Sequence, residues 1–184
     1  MIMEQIIRTD KGIICEYKPI VKFAKVRPDA IIPTKREEDA GLDIYANFEQ
    51  DYMIIEPHRT VMIPTGIACV CDKEYCLIAK ERGSTGTKGL AQRSGVIDSG
   101  YRSEIFIPIT NTTESTFFIC KKDKIETYMD DYLCNGTRLY PYEKAIAQLL
   151  VVPVPKVTVE EITYEELQAI PSDRGDGKLG SSGK

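Results

Sequence analysis

Residues 60–71 read Thr-Val-Met-Ile-Pro-Thr-Gly-Ile-Ala-Cys-Val-Cys, and this stretch decides the fold class. Two short runs of β-branched and apolar residues, 60–63 and 67–71, flank the tripeptide Pro64-Thr65-Gly66. β-branched side chains fit a pleated strand, whereas proline and glycine are typical of turns. The stretch therefore predicts two strands with a turn between them.

The same texture continues in both directions along the chain. Further predicted strands are Ile20–Val26, Asp43–Phe48, Tyr75–Lys80, Ile105–Ile109, Phe117–Cys120 and Ala145–Val154. The last is almost continuously apolar, which predicts burial of both its faces. Only Glu126–Leu133 and Thr163–Ile170 have a weak helical pattern, and the second opens with a capping box, Thr163-x-x-Glu166. Short strands separated by turn residues predict an all-β sandwich or barrel.

Composition and charge exclude several classes of function. The 184 residues are 42% hydrophobic and 28% charged, and the length predicts a single domain over residues 1–184. A net charge of −4 argues against long nucleic acid as a partner. No apolar run approaches the roughly 20 residues that span a bilayer. The first ten residues lack the features of a signal peptide, so we expect no membrane partner and a cytoplasmic location.

The cysteines do not predict a zinc site. The chain has six cysteines, without a Cys-x-x-Cys pair, and a single histidine, His58. Zinc sites need closely spaced ligands of these two types. We therefore expect reduced cysteines, several of them among apolar neighbours.

Three regions differ from the strand-rich texture. Residues 1–19 contain Asp10-Lys11-Gly12 between two apolar runs, which predicts an N-terminal extension with a hairpin. Residues 121–142 are rich in Lys, Asp and Tyr, and we interpret them as an insert between two strands. Residues 171–184 are rich in glycine and serine, which predicts a mobile C-terminal arm.

Two clusters in the first half of the chain suit a phosphorylated ligand. Asp43 closes the sequence Asp-Ala-Gly-Leu-Asp and opens an apolar strand, where a carboxylate is costly unless it is paired. Arg82 leaves a strand and enters a loop of glycines and hydroxyls, a combination that suits phosphate groups. A solvated turn is the alternative interpretation of each cluster.

Two more clusters follow. In residues 95–102, Gly-Val-Ile-Asp-Ser-Gly-Tyr-Arg, a turn at Ser99-Gly100 would place Asp98 and Tyr101 in one pocket. The carboxylate is then a candidate general base, and the ring a platform for a sugar or a base. Residues 174–183, Arg-Gly-Asp-Gly-Lys-Leu-Gly-Ser-Ser-Gly, have the composition of a lid that orders around a phosphorylated ligand.

Taken in chain order, these clusters resemble the motifs of the trimeric dUTPase family. The five matching segments are residues 40–43, 82–84, 95–102, 145–149 (Ala-Ile-Ala-Gln-Leu) and 174–183. The match runs from about Ile20 to the C-terminus and is interrupted by residues 121–142. The resemblance implies a jelly-roll β-barrel that forms a homotrimer with sites at subunit interfaces. It also implies hydrolysis of dUTP to dUMP and pyrophosphate.

The resemblance assigns roles to individual residues. Asp98 is expected to orient and activate the water that attacks the α-phosphorus, and Tyr101 to pack under the deoxyribose. Asp43 is expected to act through water on a Mg²⁺ ion held mainly by the phosphates. The backbone of a hairpin at Leu90–Val96 is expected to bind uracil. The implied substrate-binding residues are Arg82, Gly83, Ser84, Gln92, Gly95, Ile97, Tyr101, Gln148, Arg174, Leu179, Gly180 and Ser181.

The chain departs from the family pattern at three positions. Gly83 stands where the second motif usually has serine, and Leu179 where the fifth usually has phenylalanine. Aliphatic packing would then replace ring stacking on uracil. Lys178 replaces a usual glycine and adds charge near the phosphates.

Two alternative functions stay open at this level. A dCTP deaminase shares the fold and three of the motifs, but Pro108 occupies the position of its catalytic glutamate and cannot transfer a proton. A dUTPase with an added partner-binding role is the second alternative, because residues 121–142 mix tyrosines with acids as protein interfaces do. A surface loop without a partner is the simpler interpretation of that segment.

Overall fold

The computed structural model describes residues 4–9, 12–132 and 136–172. Its strands are β1 (Glu4–Thr9), β2 (Gly12–Tyr17), β3 (Val21–Lys25), β4 (Gly41–Tyr45), β5 (Tyr52–Ile55), β6 (Thr60–Pro64), β7 (Ile67–Cys71), β8 (Tyr75–Lys80), β9 (Leu90–Gln92), β10 (Val96–Ile97), β11 (Phe106–Asn111), β12 (Phe117–Cys120), β13 (Arg138–Pro141) and β14 (Ala145–Pro153). Its helices are α1 (Gly83–Gly86), a 3₁₀ turn (Lys122–Lys124), α2 (Ile125–Tyr132) and α3 (Tyr164–Ala169).

The strands build the all-β jelly roll that the sequence predicts. The largest sheet has the order β10-β8-β14-β4, so β14 pairs with β8 on one side and with β4 on the other. Two three-stranded sheets, β6-β11-β9 and β13-β12-β5, and the pair β3-β7 complete the barrel. The central place of β14 explains its apolar sequence, since Ala145, Ile146 and Ala147 are all buried.

The stretch 60–71 forms two strands, as predicted, but they do not pair with each other. β6 pairs with β11, whereas β7 pairs with β3. Between them Gly66 has a φ of +66°, and a Cβ at this position would lie 2.6 Å from Asn47 Oδ1 and 2.7 Å from Ala30 Cβ. Glycine alone fits this crowded left-handed position. The turn is therefore a corner that carries the chain from one sheet to another.

Buried polar groups in the core have hydrogen-bond partners. The amide of Asn111, which is fully buried, donates to the carbonyls of Ile55 at 3.0 Å and Ser115 at 2.8 Å. The Thr65 hydroxyl donates to the carbonyl of Ile105 at 2.6 Å. An unsatisfied buried group costs about 1–3 kcal/mol, and none occurs among the side chains of the described residues.

The chain divides into two compact units, Met1–Val154 and Pro155–Lys184. The first holds every described strand, including the predicted N-terminal hairpin, in which β1 pairs antiparallel with β2. In the second, the predicted capping box is present: the N–H of Glu166 donates to Thr163 Oγ1 at 3.2 Å. Residues 155–172 contain no buried side chain and so have no core of their own. From residue 173 onward, the predicted C-terminal arm lies outside the described residues.

The segment 121–142 ends in a core strand. Its helix α2 is close to the predicted one, but β13 was not predicted and pairs in parallel with β12. Tyr140 on β13 is only 1% exposed. Parallel neighbours require a crossover of about a dozen residues or more, and residues 121–137 supply it. Residues 138–141 therefore belong to the barrel core, and residues 121–137 are the connection that leads to them.

Helix α2 is attached to its own barrel through Tyr128. The Tyr128 ring packs on Tyr52 with centroids 4.8 Å apart, and its hydroxyl donates to Asp51 Oδ2 at 3.1 Å. Tyr128 and Tyr140 were among the residues that suggested a partner-binding insert. Both have contacts within the chain, so their presence needs no partner.

The described cysteines are buried thiols. Cys69, Cys71, Cys76 and Cys120 are free and buried. Burial raises the pKa of Cys69 to about 11, and it also raises the pKa of Cys71 and of Cys120. The thiols of Cys69, Cys71 and Cys120 are therefore protonated at neutral pH and are poor nucleophiles. In the described part of the chain, no helix is long and apolar enough to cross a bilayer.

The raised pKa of Cys69 predicts a loss of stability at alkaline pH. The pKa is 9.0 for an ordinary thiol and about 11 for Cys69 in the folded protein. The contribution of the protonated Cys69 thiol to the stability of the fold is therefore complete below pH 9.0 and is lost as the pH rises through about 11. We expect the free energy of unfolding in urea to fall over this interval, and to fall less steeply in Cys69→Ala. Equal slopes for the two proteins would contradict the assignment to Cys69.

Candidate active site

Two pockets contain most of the polar residues that the sequence singled out. A polar pocket of about 320 Å³ is lined by Asp43, Arg82, Gly83, Ser84 and Gln148, together with Arg36 and Asp39. An apolar pocket of about 230 Å³ is lined by Ile97, Asp98 and Tyr101, together with side chains that include Met62 and Phe106. The two linings share no residue. The sequence-predicted residues are therefore divided between two places on the chain.

The polar pocket lies where β4, β8 and β14 meet. In the strand register Gln148 stands opposite Asp43 on one side and Lys80 on the other. Arg82 follows the end of β8, and its Nε lies 2.8 Å from Asp43 Oδ1 while its Nη2 donates to Asp43 Oδ2 at 3.0 Å. The Asp43 carboxylate, which would be costly at the start of an apolar strand without a partner, therefore has two contacts with the Arg82 guanidinium.

The backbone around Gln148 is closely packed. Its side-chain amide donates to the carbonyl of Glu81 at 2.8 Å. A Cβ on Gly41 would lie 2.5 Å from Gln148 Oε1, so any larger residue at position 41 would displace the amide. Gly83, in contrast, has open space where its Cβ would be, which leaves the loop backbone accessible from the pocket.

The loop after Arg82 contains a short helix that is held in place by hydrogen bonds. It contains α1, whose Thr85 is fully buried and accepts a hydrogen bond from the N–H of Arg82 at 3.0 Å. The Thr87 hydroxyl donates to the carbonyl of Gly83 at 2.6 Å. These bonds fix the position of Gly83 and Ser84 beside the guanidinium. Sequence reasoning missed α1 because a four-residue helix with two glycines has little intrinsic propensity.

The apolar pocket is built on the predicted turn. The N–H of Tyr101 donates to the carbonyl of Asp98 at 3.0 Å, which closes a turn over Ser99-Gly100. The two side chains line one pocket, as expected for such a turn. Asp98 is exposed, and Tyr101 is 40% exposed with its ring against the pocket.

The predicted pairing of Leu90–Val96 as a hairpin is wrong. β9 pairs with β11 and β10 pairs with β8, so the segment crosses from one sheet to another. The crossing turns at Ser94, whose φ is +46°. The carbonyl of Gly95 accepts from the N–H of Ala79 at 2.7 Å. Gln92 and Gly95 lie on this crossing and are not among the residues that line the two pockets.

Comparison with known proteins identifies the family of the chain. A family model described as dUTPase matches residues 27–126. A deoxyuridine 5'-triphosphate nucleotidohydrolase of Clostridioides difficile is 30% identical, over 89% of this chain and 97% of its own. One from Clostridium acetobutylicum is 31% identical, over 89% and 96% respectively. The solved dUTPase of Staphylococcus bacteriophage 80alpha with dUPNHPP has a TM-score of 0.69 at 24% identity, over 90% of this chain and 99% of its own.

The chain belongs to the dUTPase family. It is accordingly a dUTP diphosphatase, and the deaminase alternative is not favoured. Pro108 lines the apolar pocket at the position where the deaminase resemblance would need a proton-transferring glutamate. The four site residues that the dUTPase resemblance placed in the C-terminal arm, Arg174, Leu179, Gly180 and Ser181, lie outside the described residues.

One residue that supports the apolar pocket was missed in the sequence. The Glu104 carboxylate accepts hydrogen bonds from the N–H of Gly66 at 2.7 Å and of Thr65 at 3.1 Å, and it forms an ion pair with Arg27. Its backbone carbonyl accepts from the Tyr101 hydroxyl at 2.8 Å. Glu104 therefore joins the corner between β6 and β7 to the turn that carries Tyr101. The sequence does contain a signal for Glu104, because a single acidic residue stands at the start of an apolar strand, as Asp43 does.

Replacing Glu104 with glutamine tests this link. Glu104→Gln keeps the shape but removes the charge that faces Arg27 and two N–H groups. We expect the free energy of unfolding in urea to fall by about 2 kcal/mol, the scale of a lost charged hydrogen bond. Glu114→Gln is the matched control, because Glu114 is 90% exposed and pairs with His58 at 3.0 Å among the described residues, and surface pairs contribute little. Equal effects of the two substitutions would show that the Glu104 network does not stabilise the fold.

Proposed function

We propose that dUTP binds with its nucleoside in the apolar pocket and its triphosphate in the polar pocket, and that water attacks the α-phosphorus. The observation that carries the proposal is the polar pocket itself. Arg82 presents a guanidinium beside the accessible backbone of Gly83 and the hydroxyl of Ser84. Guanidinium groups and backbone N–H groups are the usual partners of phosphate oxygens. Gln148 supplies a further amide at the same edge.

The charge of the polar pocket fits a substrate that is accompanied by Mg²⁺. Arg36 and Arg82 are each paired with a carboxylate of the same pocket, Asp39 and Asp43. These four side chains sum to no net charge, whereas a triphosphate is strongly negative. Asp43 would hold the hydrated ion through water, in keeping with a cation that keeps most of its waters. When bound, Mg²⁺ neutralises charge on the phosphates.

Asp98 and Tyr101 supply the chemistry and the sugar contact in this proposal. The exposed Asp98 carboxylate is positioned to orient a water molecule and to accept its proton. The Tyr101 ring, fixed through its hydroxyl to Glu104, packs under the deoxyribose. The crossing that includes Ser94 and Val96 borders the same pocket, so its backbone is the proposed partner of uracil. Gln92, Gly95 and Ile97 belong to this part of the site.

The strand register supports a site shared between subunits. Ile97 stands opposite Leu77, so the next residue, Asp98, leaves toward the beginning of β8, while Arg82 follows its end. Along β8, six residues of extended chain separate the position of Asp98 from that of Arg82, a distance of about 20 Å. That is long for two groups that act on one triphosphate. We infer that Asp98 of one subunit works with Arg82 of another, in a homotrimer.

The surface around the apolar pocket supports the same inference. Val96, Met62 and Phe106 line it and are 66%, 54% and 41% exposed. Apolar surface grouped around polar residues is typical of protein interfaces. The C-terminal arm, with Arg174 at its start, is the proposed lid over the completed site.

Substrate preference tests the proposed function. A site that hydrogen-bonds one base edge can reject mismatched bases by up to roughly ten-thousandfold. We expect pyrophosphate release from dUTP to be fast, and from UTP, dCTP and dTTP to be slow. Release of ammonia from dCTP would instead identify a deaminase.

Subunit mixing tests the shared site. Asp98→Asn and Arg82→Ala should each lower turnover at least about a hundredfold, because one loses the base and the other a phosphate ligand. Co-expressed in equal amounts, they should form trimers in which about a quarter of the sites have both residues intact. We expect turnover to recover to about that fraction of the unaltered enzyme.

The control for mixing is the double variant Asp98→Asn/Arg82→Ala co-expressed with Asp98→Asn. No site in those trimers has an intact Asp98, so activity should stay low. If the two single variants also show no recovery when mixed, both residues act from the same chain and the shared site is wrong.

A further inference from the structure

Tyr140 lies against the loop that forms the polar pocket, although it comes from the segment that interrupts the family motifs. Its side chain is 1% exposed, and its hydroxyl donates to the carbonyl of Ala145 at 2.7 Å. Burial raises the pKa of Tyr140, and the neighbouring Ser84 side chain acts to lower it. The Lys88 ammonium lies 5.6 Å from the centre of the ring. A buried side chain of β13 therefore meets the phosphate-binding loop.

The two loop residues that meet Tyr140 lie on one side of a single helical turn. Ser84 is in α1, and Lys88 follows it by four residues, a spacing that puts side chains on the same helix face. The backbone continues to turn there, since the N–H of Lys88 donates to the carbonyl of Thr85 at 3.1 Å. The ring and hydroxyl of Tyr140 thus support one face of α1.

We propose that Tyr140 is a positioning residue for α1, which holds Gly83 and Ser84 at the orientation that binds the triphosphate. The proposal rests on the proposed function of the polar pocket. Tyr140 touches no substrate in this arrangement and acts through Ser84 and Lys88. Residues 138–141 then belong to the substrate-binding apparatus, and the crossover 121–137 exists to bring β13 into place.

Tyr142 provides a matched control on the same segment. It is partly buried, its ring packs on Phe48 at 4.9 Å, and the Lys121 ammonium lies 5.7 Å from its centre. Burial raises its pKa as it does that of Tyr140. Tyr142→Phe therefore removes a comparable phenol hydroxyl whose described contacts lie away from α1.

The test compares Tyr140→Phe with Tyr142→Phe, using two inhibitors of dUTP hydrolysis by the trimeric full-length enzyme. Inorganic tripolyphosphate probes the polar pocket, and deoxyuridine probes the apolar pocket. In Tyr140→Phe we expect inhibition by tripolyphosphate to weaken about tenfold, the effect of one lost hydrogen bond. The KM for dUTP should rise in parallel, while inhibition by deoxyuridine stays unchanged. Tyr142→Phe should leave both inhibition constants unchanged.

Equal tripolyphosphate inhibition of the two variants would overturn the positioning role, as would an equal loss of both inhibitors in Tyr140→Phe. If the unaltered enzyme binds deoxyuridine but not tripolyphosphate, the proposed function of the polar pocket fails, and this inference fails with it. Hydrogen exchange on the unaltered enzyme gives a second test that needs no variant. Tripolyphosphate should slow exchange at residues 138–141 as well as at 82–89, and protection of 82–89 alone would overturn the proposal.

Discussion

The site depends on the double pairing of β14. Its backbone is hydrogen-bonded to β8 on one side and to β4 on the other, and this register places Gln148 between Asp43 and Lys80. The polar pocket is therefore assembled by backbone ladders, which tolerate little displacement. Gly41 is part of the same constraint, because a side chain there would collide with the Gln148 amide. Residues on strands hold binding groups more rigidly than loops do.

The charged side chains of the polar pocket balance one another within the protein. Arg82 is paired with Asp43 and Arg36 with Asp39, so the pocket is organised without an uncompensated guanidinium. The hydrogen bond and charge of Arg36 hold the pKa of the Asp39 carboxyl below its ordinary value. In the complex proposed above, a triphosphate would exchange these partners for its own oxygens, and a hydrated divalent cation would lower the cost of doing so. Preorganised donors of this kind favour catalysis over simple binding.

Both pockets are supported by side chains that do not line them. Glu104 ties the Tyr101 turn to the corner at Gly66, and Tyr140 meets the loop after Arg82. Each is buried or nearly so and has several partners, which is how a packed interior fixes groups at a surface. Glu104 lies just before β11, whereas Tyr140 lies on β13 in another sheet, so the two pockets have separate supports within one chain.

The amino-acid sequence alone determined the features that depend on local chemistry. The strand texture gave the all-β fold, the spacing of Asp98 and Tyr101 gave their turn, and Thr163 with Glu166 gave a capping box, because neighbours along the chain decide each of these. Tertiary structure alone decided which strands pair. The segment Leu90–Val96 has the appearance of a hairpin, yet its two strands belong to different sheets. Tyr140 belongs to the segment interpreted as an insert, yet it is buried and its ring lies beside Lys88 of the loop after Arg82. Pairing and burial depend on contacts between residues far apart in sequence, and no local pattern encodes them.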